Sequence, residues 1–175
     1  MIAILHQRQF DQTVRAYSAD LYRYAYWLCR DRFTAEELVQ ETFARAWKSW
    51  GSLTEMAAVK SWLITILRNE RARLYERKQL DMVDIDLQDL DIPSLHQAGE
   101  QLELEQLLAE LPESYREPLL LQVLGGYSCD EIAAMLGTTE GAVMTRLTRA
   151  RQALRANLEG LDQKLGHHST VKGVK

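Results

Sequence analysis

Arg146, Arg149, Arg151 and Arg155 succeed one another through TRLTRARQALRANL, and no acid interrupts them before Glu159. A guanidinium is permanently charged and presents a planar fork of donors, a shape matched to phosphate oxygens and to the edge of guanine. Met144, Thr145 and Thr148 stand among these arginines on the outward arc of the same helical pattern. A second set lies between Arg68 and Lys78, where RNERARLYERK holds five bases against two acids. At about 100° per residue, Lys60, Arg68, Arg71, Tyr75 and Lys78 share one arc of a helix. Both sets suit the holding of a phosphodiester chain rather than the making or breaking of bonds. Ordinary helices also carry solvated basic faces, so neither stripe is decisive alone. No nucleophile–base pair, phosphate-binding glycine loop or metal-ligand spacing occurs, so an enzyme is the least favoured reading and no cofactor is expected. Cys29 and Cys129 are expected as buried thiols, and His167 and His168 fall in the polar tail GHHSTVKGVK.

Helices have to carry these side chains. Only nine Gly and three Pro occur, and the abundant Leu, Ala, Glu, Gln and Arg favour an all-α fold. Val14, Tyr17, Leu21, Tyr24 or Ala25, and Leu28 recur at three- and four-residue steps and predict a first helix. Thr34 and Glu37 have the capping-box spacing at the head of a second, AEELVQETFARAWKSW. That helix turns Leu38, Val39, Phe43, Ala46 and Trp47 inward and Glu37, Gln40, Glu41, Arg45 and Lys48 outward. Gly51 and small polar residues break the pattern. A long third helix follows, with Val59, Trp62, Leu63, Ile66 and Leu74 inward. Further on, Pro112 opens a helix and Gly125-Gly126 closes it. Ser128 and Glu131 form a second capping-box pair, Gly137 ends that short helix, and Thr139 caps a longer one. The longer helix has Val143, Leu147, Ala150, Leu154 and Leu158 as its core stripe. A short capped helix, a glycine turn and a second helix have the spacing of a helix-turn-helix.

A chain built to hold phosphates ought not to be acidic, yet 21 Lys+Arg against 25 Asp+Glu give a net charge of −4. The charge is segregated. Residues 81–110 contain nine acids (Asp81, Asp84, Asp86, Asp89, Asp91, Glu100, Glu103, Glu105, Glu110) and no Lys or Arg, which leaves the rest of the chain at +5. Pro93 and Gly99 add to the picture of a linker. The run reads first as a solvated tether and second as an imitation of a nucleic-acid backbone or a cover for the basic faces. The expected organisation is all-α, two small helical domains joined by an acidic flexible linker: a first domain at 1–80, the linker at 81–102, a helix-turn-helix domain at 103–160, and a flexible tail at 161–175.

LPESYREPLLLQVLGGYSCDEIAAMLGTTEGAVMTRLTRARQAL resembles the fourth conserved region of bacterial extracytoplasmic-function (ECF) sigma factors, and AEELVQETFARAW with VKSWLITILRNERARLYERK resembles their second region. The resemblance covers about residues 10–80 and 103–158, in the family's order. It implies a dissociable promoter-specificity subunit of core RNA polymerase. The family's polymerase-docking face carries over to Glu37, Gln40 and Glu41, with Arg45 as neighbour. Residues 51–58, Ser52 and Leu53 among them, would capture an unstacked base of the minus-10 element, and Lys60, Arg68, Asn69, Arg71, Tyr75 and Lys78 would hold the strand and adjoining duplex. Thr139, Glu140, Met144, Thr145, Arg146, Thr148 and Arg149 would read the minus-35 element. The family often has Lys-Ser at Met144-Thr145 and His at Thr148, so these departures bear on which promoter is read. Because polymerase supplies most nonspecific phosphate contact, local basic patches suffice.

Two other classes fit parts of the pattern. A stand-alone helix-turn-helix regulator would need a dimerisation or ligand domain at the N-terminus, where residues 34–80 instead look like a docking and melting module. An RNA-binding adaptor would need exposed stacking aromatics in a sheet-like motif. The implied partners are core RNA polymerase, promoter DNA and an anti-sigma factor. The opening MIAILHQRQFDQ has too short an apolar run for a signal peptide, and no stretch has the length of a membrane span, so a cytoplasmic protein is expected.

Overall fold

A computed structural model describes residues 2–81 and 106–168, with side chains described over 4–77 and 106–160. Apart from Asp81, the expected linker at 81–102 lies outside the described residues. The chain divides into two compact units, Met1–Leu95 and His96–Lys175, and among the described residues every regular element is helical.

The first unit packs three helices on one another: α1 (Ile2–Cys29), α2 (Arg32–Lys48) and α3 (Val59–Asp81). Its core takes Leu21, Tyr24, Ala25 and Leu28 from α1, Ala35, Leu38 and Ala46 from α2, and Leu63, Ile64, Leu67 and Leu74 from α3. Fully burying a leucine is worth about 1.5–3 kcal/mol, so this stripe dominates the unit's stability. The α1–α2 turn is tight because Arg30 adopts the left-handed conformation at φ +58° and its N–H closes on the Tyr26 carbonyl at 2.6 Å. Asp31 then caps α2, accepting hydrogen bonds from the Thr34 N–H at 2.8 Å and from the Thr34 hydroxyl. The expected cap at Thr34 is thereby corrected: a carboxylate three residues upstream reaches the orphan N–H first, and Thr34 becomes a buried first-turn residue.

The inward face of α2 also differs from the periodicity. Thr42, expected on neither face, is fully buried, and its hydroxyl is satisfied by the Leu38 carbonyl at 2.6 Å. Trp47, expected inward, is 48% exposed and sits at the rim of a cluster around Phe10. The buried member of that cluster is Trp50, whose ring lies 5.1 Å from Phe10 and 6.1 Å from Trp62.

The second unit contains helical residues 106–110, then α4 (Glu113–Val123), α5 (Cys129–Leu136) and α6 (Glu140–His168). Arg116 joins the lead-in to α4 by donating to the Ala109 and Leu111 carbonyls at 3.1 and 2.8 Å, which satisfies end-of-helix acceptors. Leu111, Leu120, Leu121, Ile132, Val143, Leu147 and Ala150 form the core. The α6 stripe fades along its length: Leu154 is half-buried and Leu158 is 50% exposed. This corrects the expectation for Leu158, which continues the apolar spacing but is not covered as Val143, Leu147 and Ala150 are. The helix itself continues to His168, into the stretch expected as a tail. Cys29 and Cys129 are half-buried rather than buried.

Candidate nucleic-acid interface

On α2, burial of Ala35, Leu38, Thr42 and Ala46 turns Glu37, Gln40, Glu41 and Arg45 to solvent. The first three form an acidic-polar patch on one exposed face. Arg45 differs, because its Nε lies 3.1 Å from Oε1 of Glu70 on α3, a carboxylate only 4% exposed. The same oxygen accepts from Arg73 Nη1 at 2.7 Å. Glu70 was not among the residues singled out from sequence. Its signal was its place on the 63–67–70–74 stripe of α3, where an acid stands among leucines and needs a cation to be buried.

The segment between α2 and α3 runs through two 3-10 turns, Trp50–Ser52 and Met56–Ala58. It is held at its ends by buried Trp50 and Val59, while residues 51–58 are exposed except for half-buried Leu53. Ser52 is exposed and its hydroxyl donates to the Ser49 carbonyl at 2.7 Å. The loop therefore presents side chains and backbone to solvent on a fixed base.

Along α3 the expected basic arc divides. Lys60, at its start, is tied to Asp20 of α1 at 3.2 Å, so it braces α1 against α3. The hydrogen bond from Lys60 is the first cause that lowers the Asp20 carboxyl below its usual range, with Arg23 adding to it against the opposing effect of burial. Arg68 and Arg71 are half-buried and Asn69 is exposed. The Arg71 guanidinium stacks 4.8 Å from the ring centre of Tyr75, which is 43% exposed, an arrangement that offers a cation and a π-face together. The Lys78 side chain lies outside the described residues.

In the second unit the local signals cap α5, break it at Gly137 and cap α6 as anticipated. Ser128 and Glu131 form the capping box, with the Ser128 N–H donating to Glu131 Oε2 at 2.8 Å. The Ser128 hydroxyl also donates to Asp130, the first cause that holds that carboxyl below its usual range. Gly137 closes α5 in the left-handed conformation at φ +61°, with the Thr138 N–H reaching the Ala133 carbonyl at 3.0 Å. Thr139 caps α6 through its hydroxyl, which accepts from the Ala142 N–H at 3.3 Å. Thr139, Glu140, Met144, Thr145, Thr148 and Arg149 are exposed, and Arg146 is half-buried. The Thr145 and Thr148 hydroxyls donate to the carbonyls of Gly141 and Met144, both at 2.9 Å. Two arginines are steered by α4: Arg149 donates to the Tyr115 hydroxyl at 3.3 Å and Arg151 to Gln122 at 2.5 Å. Sequence reasoning missed both partners, since they lie on a different helix.

Residues 13–80 match the family described as Sigma-70 region 2, and residues 101–154 match Sigma-70, region 4. The chain is 31% identical over 153 residues to the ECF RNA polymerase sigma factor SigM of Bacillus subtilis, covering 83% of this chain and 93% of that protein. The chain belongs to the ECF RNA polymerase sigma factors. Other relatives are the ECF sigma factor SigL of Mycobacterium tuberculosis, at 33% identity over 83% of this chain and 86% of the relative, and EcfG of Rhodopseudomonas palustris, at 33% identity over 80% of each. The sigma factor RpoE from Bartonella quintana, solved in complex with the anti-sigma factor NepR, superposes with a TM-score of 0.72 at 29% identity, covering 87% of this chain and 98% of that one. CnrH, solved with the cytosolic domain of CnrY, gives a TM-score of 0.65 at 26% identity, covering 88% of this chain and 90% of that one. As an ECF sigma factor, the protein directs promoter-specific transcription initiation by core RNA polymerase. Its first unit is the region 2 domain and its second the region 4 domain. Among the described residues no helix is long and apolar enough to cross a membrane.

Proposed function

We propose that this sigma factor divides its work among three surfaces. Glu37, Gln40 and Glu41, flanked by Arg45, dock α2 on core polymerase. Residues 51–58, with Ser52 and Leu53, take the unstacked minus-10 base, and Arg68, Asn69, Arg71, Tyr75 and Lys78 hold the adjoining strand, while Lys60 serves mainly as a brace. Thr139, Glu140, Met144, Thr145, Arg146, Thr148 and Arg149 meet the minus-35 element. The observation that carries this division is that Arg149, Met144, Thr145 and Thr148 face solvent from one capped helix whose opposite side, Val143, Leu147 and Ala150, is fully packed. Such a helix has a free face of the width a major groove admits.

The protein acts in the cytoplasm as a non-catalytic initiation factor, released by a stress signal from an anti-sigma factor. The anti-sigma partner is supported by the complex of the sigma factor RpoE with NepR. Run-off transcription with core polymerase on a randomised promoter library tests the whole reading. Enrichment of paired minus-10 and minus-35 elements is expected. A chain that retards operator DNA without polymerase and supports no run-off product would instead be a stand-alone regulator.

A further inference from the structure

Glu70 is the one acid among the buried residues of either unit's described side chains, and it is shared by two arginines. One of them, Arg73, is on its own helix. The other, Arg45, comes from α2, one helical turn beyond Glu41, so the ion pair crosses from α2 to α3. A leucine stripe permits small sliding between two helices, because dispersion has no direction. A buried carboxylate paired with a guanidinium on the facing helix resists it, since sliding would take away part of the charge that compensates its burial. Glu70 is therefore a buried charged contact that ties α2 to α3. Its sequence neighbours on α3 are Asn69 and Arg71, on the strand-holding surface.

Resting on the surfaces assigned above, we infer that Glu70 is a positioning residue for promoter opening. Through Arg45 it fixes the register between the helix that docks on polymerase and the helix that holds the separated strand. Docking then delivers Asn69, Arg71 and Tyr75 to the minus-10 strand at one defined place. Arg45, beside the docking residues, is the α2 half of this clamp. Loss of the clamp is expected to leave docking intact and to slow strand separation, because opening alone needs both helices engaged at once.

The test compares Glu70→Gln, Arg45→Gln and the double variant in the full chain. Core affinity of Glu70→Gln is measured by fluorescence anisotropy. For all variants, duplex opening is followed at saturating polymerase by a 2-aminopurine reporter in the minus-10 element, and in parallel on a template whose minus-10 bases are already mismatched. Glu70→Gln is expected to bind core within about threefold of the parent and to open duplex about tenfold more slowly, the scale of one buried charged contact. The pre-opened template should restore initiation, and the double variant should be no slower than the slower single. A fold defect alone would depress duplex and pre-opened templates alike. Parental opening rates, equal losses on both templates, or losses that multiply in the double variant would each overturn the inference. If Glu70→Gln does not fold, Arg45→Gln carries the same test, since Glu70 keeps Arg73. Failure of the parent itself to bind core or open the duplex would refute the surface assignment instead.

Discussion

Replacing Gly137 with alanine perturbs the helix-turn-helix through the backbone alone. Gly137 holds φ +61° and ψ +41°, and a Cβ added there would meet nothing within 4 Å. No clash contributes, so the cost is the intrinsic penalty for an L-residue in the left-handed region, about 1–2 kcal/mol. Asparagine, which tolerates that region better, should cost less. The strain has no easy relief, because the Thr138 N–H closes on the Ala133 carbonyl and would be carried away if φ at Gly137 turned negative. In a domain of this size each kcal/mol moves the melting midpoint by about 4–8 °C, so Gly137→Ala should melt about 5–15 °C lower. The assay separates the two units, since all four tryptophans, Trp27, Trp47, Trp50 and Trp62, lie in the first. Tryptophan fluorescence follows region 2, and far-UV circular dichroism follows both. The fluorescence transition should stay in place while part of the dichroism transition moves down. Between the two midpoints the variant should still bind core polymerase but lose its dependence on the minus-35 element. An unmoved dichroism transition, or a fluorescence transition that shifts with it, would falsify the argument that Gly137 acts only on its own unit and only through φ.

Glu41→Lys should leave both melting transitions unchanged and weaken core binding by more than about 1 kcal/mol in a titration against polymerase; unchanged affinity in the folded variant removes α2 as the docking face. For Arg149→Ala, a promoter scan distinguishes a phosphate contact, with similar losses across all minus-35 variants, from a guanine contact, with about 1–3 kcal/mol concentrated at one position. Met144 and Thr145 substitutions should change preference more than strength, and a scan blind to all three positions contradicts the recognition helix. Asp20 has a depressed carboxyl, so the stability it adds through Lys60 is present above the ordinary aspartate range and is lost as pH falls through the lowered value. The gap in melting temperature between the parent and Asp20→Asn, read by tryptophan fluorescence, should therefore be open at pH 6 and narrow as the solution is acidified below the ordinary aspartate range; a pH-independent gap would mean that the ion pair is not its source.

The helix-turn-helix was legible in the residues themselves because each of its determinants acts within one turn of chain. A serine two residues before Asp130 and three before Glu131, a glycine after Leu136 and a threonine before Glu140 set caps and breaks that need no distant partner. The alternation of Val143, Leu147 and Ala150 likewise fixes one face of α6 whatever packs on it. The same locality misled at Thr34, where two capping residues competed and only the geometry of the α1–α2 turn gave the site to Asp31. Tertiary structure decided what each charged side chain does after its face is set. Lys60 meets Asp20, Arg45 and Arg73 converge on Glu70, and Arg149 and Arg151 lean on α4, because those partners are brought within reach by helix crossings. Periodicity gives the direction in which a side chain leaves its own helix. The length and crossing of the neighbouring helix determine what it finds there, so Leu158 continues a core stripe in sequence and yet emerges into solvent.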